Sequence, residues 1–317
     1  MKIMIAHDGS ESSDAALHDL TKAGLPRTAE AMTVSVADIF SSPSLPKEEE
    51  IEVHSARVAS ALRHAEQHAD RIAREAGQYA ELAQQRVQEY FPEWSVSKKI
   101  LTGTPSWELI DAASEWDADL VVLGSHGRSG IKRLILGSVS KKVVTDAGCS
   151  VRVARRGPEK GADDPIRVVV AVDGSFAAEQ AIRSVGMRVW PIGTEVHLVA
   201  VDDGSVPPAR VSTFLPRAAE MISGYNQDRR SRVEAMMNWG ADELSQLGIV
   251  PTITIESGDP KHVITSYAEK HNADSIFVGT RDFKSAFERI RLGSVSTAIV
   301  TSAHCSVEVV RLSMSEE

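Results

Sequence analysis

At 317 residues the chain exceeds a usual single domain and accommodates two of about 150, each large enough to bury its own core. Apolar residues at 42 % and charged residues at 25 % fit an ordinary soluble globular protein and exclude disordered or collagen-like composition. The formal net charge of −9, from 44 acidic and 35 basic residues, argues against nucleic acid or an anionic membrane as partner, and no apolar run reaches the ~20 residues of a membrane-spanning helix.

The chain opens on Ile3-Met4-Ile5-Ala6, which reads as a strand over 2–7 and runs into Asp8-Gly9-Ser10, ordinary turn chemistry. This start lacks the apolar core and cleavage site of a signal peptide. With only Cys149 and Cys305 present, too few for a disulfide framework, the expected compartment is the cytoplasm. A second strand is expected over 31–38. From about Ile51 to Tyr90, Leu62, Ala65, Ala69, Ile72, Ala76, Ala83 and Val87 form one apolar stripe of a long helix packed on its own sheet or on a sister domain. His64 and His68 stand one turn apart on that helix, a spacing able to hold a metal. Glu66 is misplaced for His-Glu-x-x-His, so the pair reads as a solvated face.

A third strand over 95–101 leads to Thr104-Pro105, read as an N-cap side chain before a proline at the first helical position. A fourth strand over 119–124 then meets a glycine-rich stretch, Gly124 to Ser138, that opens the last helix before a fifth strand over 150–154. Short apolar runs alternating with helical stretches are the pattern of a parallel sheet covered by helices.

The whole plan then recurs. Ile3 to Ser10 returns as Val168 to Ser175, apolar and ending in Asp-Gly-Ser both times. Gly103-Thr104-Pro105 returns as Gly258-Asp259-Pro260, and Ala118 to Gly124 returns as Ala273 to Gly279. Leu136-Gly137-Ser138-Val139-Ser140 matches Leu292-Gly293-Ser294-Val295-Ser296, and Cys149-Ser150-Val151 matches Cys305-Ser306-Val307. Blocks matched in the same order indicate duplication. The polar stretch 156–165, rich in Gly, Pro and charge, reads as the linker, giving domains at 1–155 and 166–317. In the second, strands are expected near 167–172, 195–202, 250–256, 274–279 and 306–311.

The stretch from Gly124 to Ser138 carries the chemistry. A phosphate approaches a backbone closely only where no Cβ intrudes, so Gly124, Gly127 and Gly137 let main-chain N–H groups face an anion. Gly137 and Ser138 also open a helix, whose unpaired N–H groups and positive dipole end favour negative charge, and Ser138 adds a hydroxyl. Arg128, Lys132 and Arg133 read equally as phosphate helpers or as a solvated basic cluster. His126 reads as a neighbour of the phosphates or a solvent residue. Gly-Ser-His-Gly is not a nucleophile elbow, and no catalytic residue is assigned. The two cysteines read as small buried side chains.

The duplicated Asp-Gly-Ser turn and the spacing Gly, two residues, Gly, nine residues, Gly, Ser at Gly124, Gly127, Gly137 and Ser138 resemble the universal stress protein family over nearly all of both halves, in the form of its ATP-binding members. The resemblance implies an adenine nucleotide alpha hydrolase-like α/β fold. It consists of two tandem open parallel five-stranded sheets in the order 3-2-1-4-5 with helices on both faces. The nucleotide would lie above the carboxyl ends of the first and fourth strands, where that order reverses. By the same resemblance Asp8 contacts the adenine and ribose, Ala6 and Val36 line the base pocket, and Leu123 and Gly124 border the nucleotide. Gly127 and Gly137 contact phosphates, Ser138, Val139 and Ser140 complete the helix end, and Mg²⁺ or Mn²⁺ bridges the phosphates. On the residues alone, Asp8 also reads as a turn cap.

The second half keeps Asp173, Gly279, Gly293 and Ser294, but has Asp282 in place of Gly127, with ten residues rather than nine before Gly293. A carboxylate and a Cβ there disfavour a bare triphosphate, so the second site is expected to be degenerate. The implied function is a cytoplasmic stress-response module that binds ATP, ADP or AMP. Alternatives are a slow ATPase or adenine-nucleotide hydrolase, and a nucleotide-free dimeric scaffold. The resemblance also implies that the two halves pair across their last strands as an intrachain pseudo-dimer. That arrangement is compatible with a homodimer of chains and with an unidentified protein partner.

Overall fold

The structure is a computed structural model that describes residues 1–38, 56–127, 136–157, 161, 164–203, 216–280 and 292–311, with backbone alone for 56–62 and 216–226. In the first half, β1 (Lys2–Ala6), α1 (Glu11–Asp19), β2 (Glu30–Ala37), α2 (Ala56–Tyr90), β3 (Ser95–Thr102), α3 (Pro105–Glu115), β4 (Leu120–Gly124), α4 (Ser138–Asp146) and β5 (Ser150–Ala154) follow one another. In the second, β6 (Arg167–Val172), α5 (Phe176–Gly186), β7 (Glu195–Asp202), α6 (Pro216–Gln246), β8 (Thr252–Ser257), α7 (Pro260–Lys270), β9 (Ser275–Gly279), α8 (Ser294–Ser302) and β10 (Ser306–Val310) repeat the series.

Each half has the order 3-2-1-4-5, and the two are fused into one ten-stranded sheet, β3-β2-β1-β4-β5-β10-β9-β6-β7-β8. Pairing is parallel within each half. At the seam β5 and β10 run antiparallel, with Val151 opposite Val309, Arg152 opposite Glu308 and Val153 opposite Val307. On one face a single core crosses the seam, joining Val121, Val143 and Val153 to Ile276, Ile299 and Val307. The other face has a separate core in each half, around Ile3, Ile5, Leu17 and Val87 and around Val168, Val170, Ile182 and Leu244. Each fully buried side chain of this size contributes roughly 1.5–3 kcal/mol. Among the described residues no helix is long and apolar enough to cross a membrane.

The seam is also charged. Arg152 is fully buried, donating from Nε to Asp19 Oδ2 at 2.6 Å, from Nη2 to Asp19 Oδ1 at 3.2 Å and from Nη1 to Glu308 Oε2 at 3.3 Å. Arg188 Nη2 pairs with Glu308 Oε1, so two guanidinium groups meet two carboxylates at the seam. Arg152 and Glu308 are equivalent positions of the repeat, so the pseudo-twofold axis passes between opposite charges.

A second pair is reciprocal. Arg155, just past β5, donates from Nη2 to Val300 O at 2.5 Å, at the end of α8, while Arg311, just past β10, donates from Nη2 to Val144 O, at the end of α4. A cation at a helix carboxyl end satisfies orphan carbonyls and complements the dipole. Each half thus closes the last helix of the other.

Two expectations are corrected. Thr104 makes no side-chain cap at α3; its carbonyl takes the Trp107 and Glu108 N–H groups at 3.0 and 3.1 Å, and proline at the next position removes one donor that needed capping. On α2 the buried stripe is Ala76, Ala80, Ala83 and Val87, whereas Ala65 is exposed and Ala69 and Ile72 are half-buried. The expected start at 51–55, the Leu62 side chain, Arg128, Lys132, Arg133 and Asp282 lie outside the described residues. His64 and His68 are exposed, and Arg71 Nη2 donates to His68 Nδ1 at 2.9 Å. Cys149 and Cys305 are free and buried, and burial pushes their thiols up to about 11 and about 12.

Candidate functional site

The carboxyl ends of β1 and β4 bring together most of the residues singled out in the first half. Asp8 leaves β1 half-buried, and its Oδ1 accepts the Ser10 N–H at 3.1 Å and the Ser10 hydroxyl at 2.6 Å. Ser10 in turn caps α1, its Oγ accepting from Ser13 N at 3.1 Å. Asp8 therefore does hold its own turn. Its Oδ2 faces the other strand: a Cβ built on Gly127 would stand only 3.0 Å from it. Gly127 is exposed, so the bare backbone there forms an open floor beside a carboxylate.

Gly137 sits directly behind that floor. Its N–H donates to Ser125 O at 2.7 Å, and an added Cβ would meet His126 Cα at 3.2 Å. As the N-cap of α4 it offers no side chain, and its carbonyl takes Lys141 N–H at 2.9 Å. The N–H groups of Ser138, Val139 and Ser140 thus lead the helix without intrahelical acceptors. Ser138 is exposed, while the Ser140 hydroxyl donates to Gly124 O at 2.7 Å and ties the helix to the end of β4. By contrast, α1, α5 and α7 are capped by the side chains of Ser10, Ser175 and Asp259.

Gly124 serves a different end from the one its pattern suggested. A Cβ there would lie 2.5 Å from Ser12 Oγ and 2.6 Å from the Ser12 carbonyl, so this glycine lets α1 approach β4. The loop beyond it is tied down by polar contacts, His126 N to Ser12 Oγ at 3.2 Å and Ser125 Oγ to His126 Nδ1 at 2.8 Å. His126 N–H is therefore spent within the protein. Ala6, Val36, Leu136 and Val139 are half-buried on the core at this end of the sheet, and Leu123 is buried beneath them. They give the crevice an apolar wall beside its polar floor.

Two contributors were missed. His7 is buried, with Nδ1 accepting the Gly9 N–H at 3.4 Å and Nε2 facing Asp14 Oδ1 at 3.2 Å; Arg86 Nη1 holds the same oxygen at 2.7 Å. Burial keeps the His7 imidazole below its ordinary value, against the pull of Asp14. Tyr79 of α2 lies over Gly9, where a Cβ would reach within 2.3 Å of its ring. A polar residue inside the apolar first strand was the available signal for His7; nothing local marked Tyr79.

The second half keeps the frame and loses the furnishing. A Cβ on Gly279 would fall 2.1 Å from Ala177 O, the same close helix approach as at Gly124, and Ser296 Oγ donates to Gly279 O at 3.2 Å. Gly293 is again an uncapped N-cap, followed by an exposed Ser294. Asp173, however, is exposed and accepts the Ser175 N–H at 3.0 Å; Val172 replaces His7, Ala177 replaces Ser12, and Val233 lies over Gly174. Among the described residues no cluster of three or more His, Cys, Asp or Glu side chains is placed to hold a metal ion.

The profile of the Universal stress protein family matches residues 1–155 and again 166–311. The chain is 32% identical over 162 residues to the universal stress protein MJ0531 of Methanocaldococcus jannaschii, covering 50% of this chain and 84% of that one. It is 26% identical over 233 residues to the universal stress protein Rv2005c of Mycobacterium tuberculosis, 69% of this chain and 70% of that one. Among solved structures, a universal stress protein from Archaeoglobus fulgidus superposes over 98% of both chains with a TM-score of 0.61 at 23% identity, a likeness of fold.

Proposed function

The chain belongs to the universal stress protein family, and on that premise we propose that its first half binds ATP or another adenine nucleotide and acts as a nucleotide-dependent regulatory module. One convergence carries the reading: the side-chain-free floor at Gly127, the Asp8 carboxylate beside it and the uncapped start of α4 share one crevice at the carboxyl ends of β1 and β4. Anionic oxygens suit the N–H groups of Ser138, Val139 and Ser140. A ribose hydroxyl or adenine amino group can donate to Asp8, and the half-buried wall of Ala6, Val36 and Val139 suits a base.

The Asp8 carboxylate beside the floor repels a bare polyphosphate, so Mg²⁺ or Mn²⁺ belongs in the scheme. Such an ion would neutralise charge at a site where, among the described residues, no cluster of three or more His, Cys, Asp or Glu side chains is placed to hold it. Nucleotide occupancy can signal only through a difference in affinity between conformations. In the second half, Asp173, Gly279, Gly293 and Ser294 retain a frame without the polar support around Asp8, and a stoichiometry of one nucleotide per chain is expected. The test is mass spectrometry of ligand released from freshly purified protein, paired with calorimetric ATP titration of wild type and Gly127→Val. Adenine nucleotide in the wild type and loss of heat in the variant support the reading; an empty protein with no heat at millimolar ATP and Mg²⁺ defeats it.

A further inference from the structure

A chain of three side chains behind the crevice has no counterpart among the described residues of the second half. Arg86 on α2 holds Asp14 on α1 at 2.7 Å, Asp14 Oδ1 faces His7 Nε2 at 3.2 Å, and His7 Nδ1 accepts the Gly9 N–H at 3.4 Å. The assignment of hydrogens is forced by the partners. Asp14 can only accept and Gly9 N–H can only donate, so the imidazole is neutral with its proton on Nε2. Ser35 Oγ donates to the His7 carbonyl at 2.5 Å, which fixes the backbone on the other side. Gly9 itself has φ +78°, a conformation that needs support in the folded turn. At the matching positions, Val172 offers no acceptor to Gly174, and Glu179 pairs with Arg183 at 3.1 Å.

We propose that His7 is the positioning residue of the first site: its Nδ1 lone pair holds Gly9 N–H and thereby aims Asp8 at the crevice, and a proton taken up at Nδ1 releases the turn. The consequence for affinity rests on the nucleotide reading above; the consequence for the turn does not. The charged and titratable groups facing His7 are Asp14 from α1, Arg86 and the Tyr79 ring from α2, and Asp8 from its own turn. Proton uptake places an N–H against the Gly9 N–H, so one hydrogen bond becomes a repulsive contact. Because burial keeps the imidazole below the ordinary histidine value, the turn is held at neutral pH and released in the acid range.

The experiment uses the full chain. In ¹⁵N–¹H spectra recorded from about pH 8 down to about pH 4.5, the Gly9 amide of wild type should shift along a single-proton curve. The same amide should stay flat in His7→Gln, whose side-chain oxygen restores an acceptor that does not titrate. ATP affinity of wild type should fall about fivefold more than that of His7→Gln across the same range, a difference that cancels the protonation of ATP itself. His7→Val, which copies Val172, should bind ATP about fivefold more weakly at neutral pH, and circular dichroism checks that it folds. A Gly9 amide indifferent to pH, or moving alike in wild type and His7→Gln, overturns the proposal, as does unweakened binding by folded His7→Val. A titrating Gly9 amide in a protein that binds no ATP would uphold the positioning role and bring down the nucleotide reading alone.

Discussion

The two halves share the glycine and serine contacts that seat their helices on the fourth strand and differ around the first aspartate. Gly124 and Gly279 each admit a helix to within contact of the fourth strand of their half; Ser140 and Ser296 each tie the last helix to that strand; and Gly137 and Gly293 each start it uncapped. Asp8 is half-buried, backed by His7 and neighboured by Tyr79 over Gly9, whereas Asp173 is exposed beside Val172 and Val233. A glycine kept in both copies is therefore weak evidence for binding, because the fold needs it in either case. The polar contacts present in one copy alone are the better guide to the site.

The comparison is broken most severely at the seam, where the halves are equivalent in position and opposite in charge. Glu308→Gln takes the carboxylate from Arg188 while Arg152 keeps Asp19, and Arg152→Met takes the guanidinium from Asp19 while Glu308 keeps Arg188. Each should cost about 3–5 kcal/mol in chemical denaturation, since removing one partner strands a buried charge. A loss below about 1 kcal/mol in both would mean that water reaches the seam and that the pairing is incidental.

Next come the paired glycines. Gly124→Ala and Gly279→Ala should each destabilise the chain by roughly 1–3 kcal/mol, because the new methyl group meets helix backbone that cannot swing aside. If only Gly124→Ala were costly, the equivalence of the two frames would fail.

Those effects also mark the limit of the sequence as a guide. Strands near 2–7, 119–124 and 306–311 were readable because Ile-Met-Ile-type runs bounded by turns have few alternatives in an alternating α/β chain. Gly127, Gly137 and Asp8 were singled out by spacing and turn chemistry, and the structure brings them together at the carboxyl ends of β1 and β4. The pairing of the last strands was implied by resemblance, but nothing local in Val-Arg-Val at 151–153 or Val-Glu-Val at 307–309 says that the antiparallel seam sets Arg152 opposite Glu308 and buries both. Tyr79 and Arg86 reach the site from a helix at least seventy residues along the chain from Gly9 and Asp14. Thr104 makes no side-chain cap, whereas Asp259 at the matching position, with the same backbone bonds around it, caps through the Lys261 N–H.

The difference between the halves is sharpened by Gly127. Gly127→Val should lower ATP affinity at least about tenfold while changing stability by less than ~1 kcal/mol, because the position is exposed but its Cβ points at Asp8. Gly293→Ala, whose Cβ would meet nothing nearer than Ser296 Oγ at 4.0 Å among the described residues, should leave ATP binding untouched. Equal losses from the two would mean that both halves bind.

The smallest expected effect separates the two cysteines. Each thiol lies near the arginine that crosses from the opposite half, Cys149 near Arg311 and Cys305 near Arg155, and a cation normally lowers a thiol. Burial dominates in both, so Cys149 is pushed up to about 11 and the fully buried Cys305 to about 12. At about pH 8 the thiolate fractions are then on the order of one in a thousand and one in ten thousand. Native protein should resist iodoacetamide for hours while unfolded protein reacts in minutes, and peptide mass spectrometry should find Cys149 modified roughly tenfold faster than Cys305. Were Cys305 modified first, the end of the second half would open before that of the first, and the seam would be looser on the side of α8 than its reciprocal arginine contacts imply.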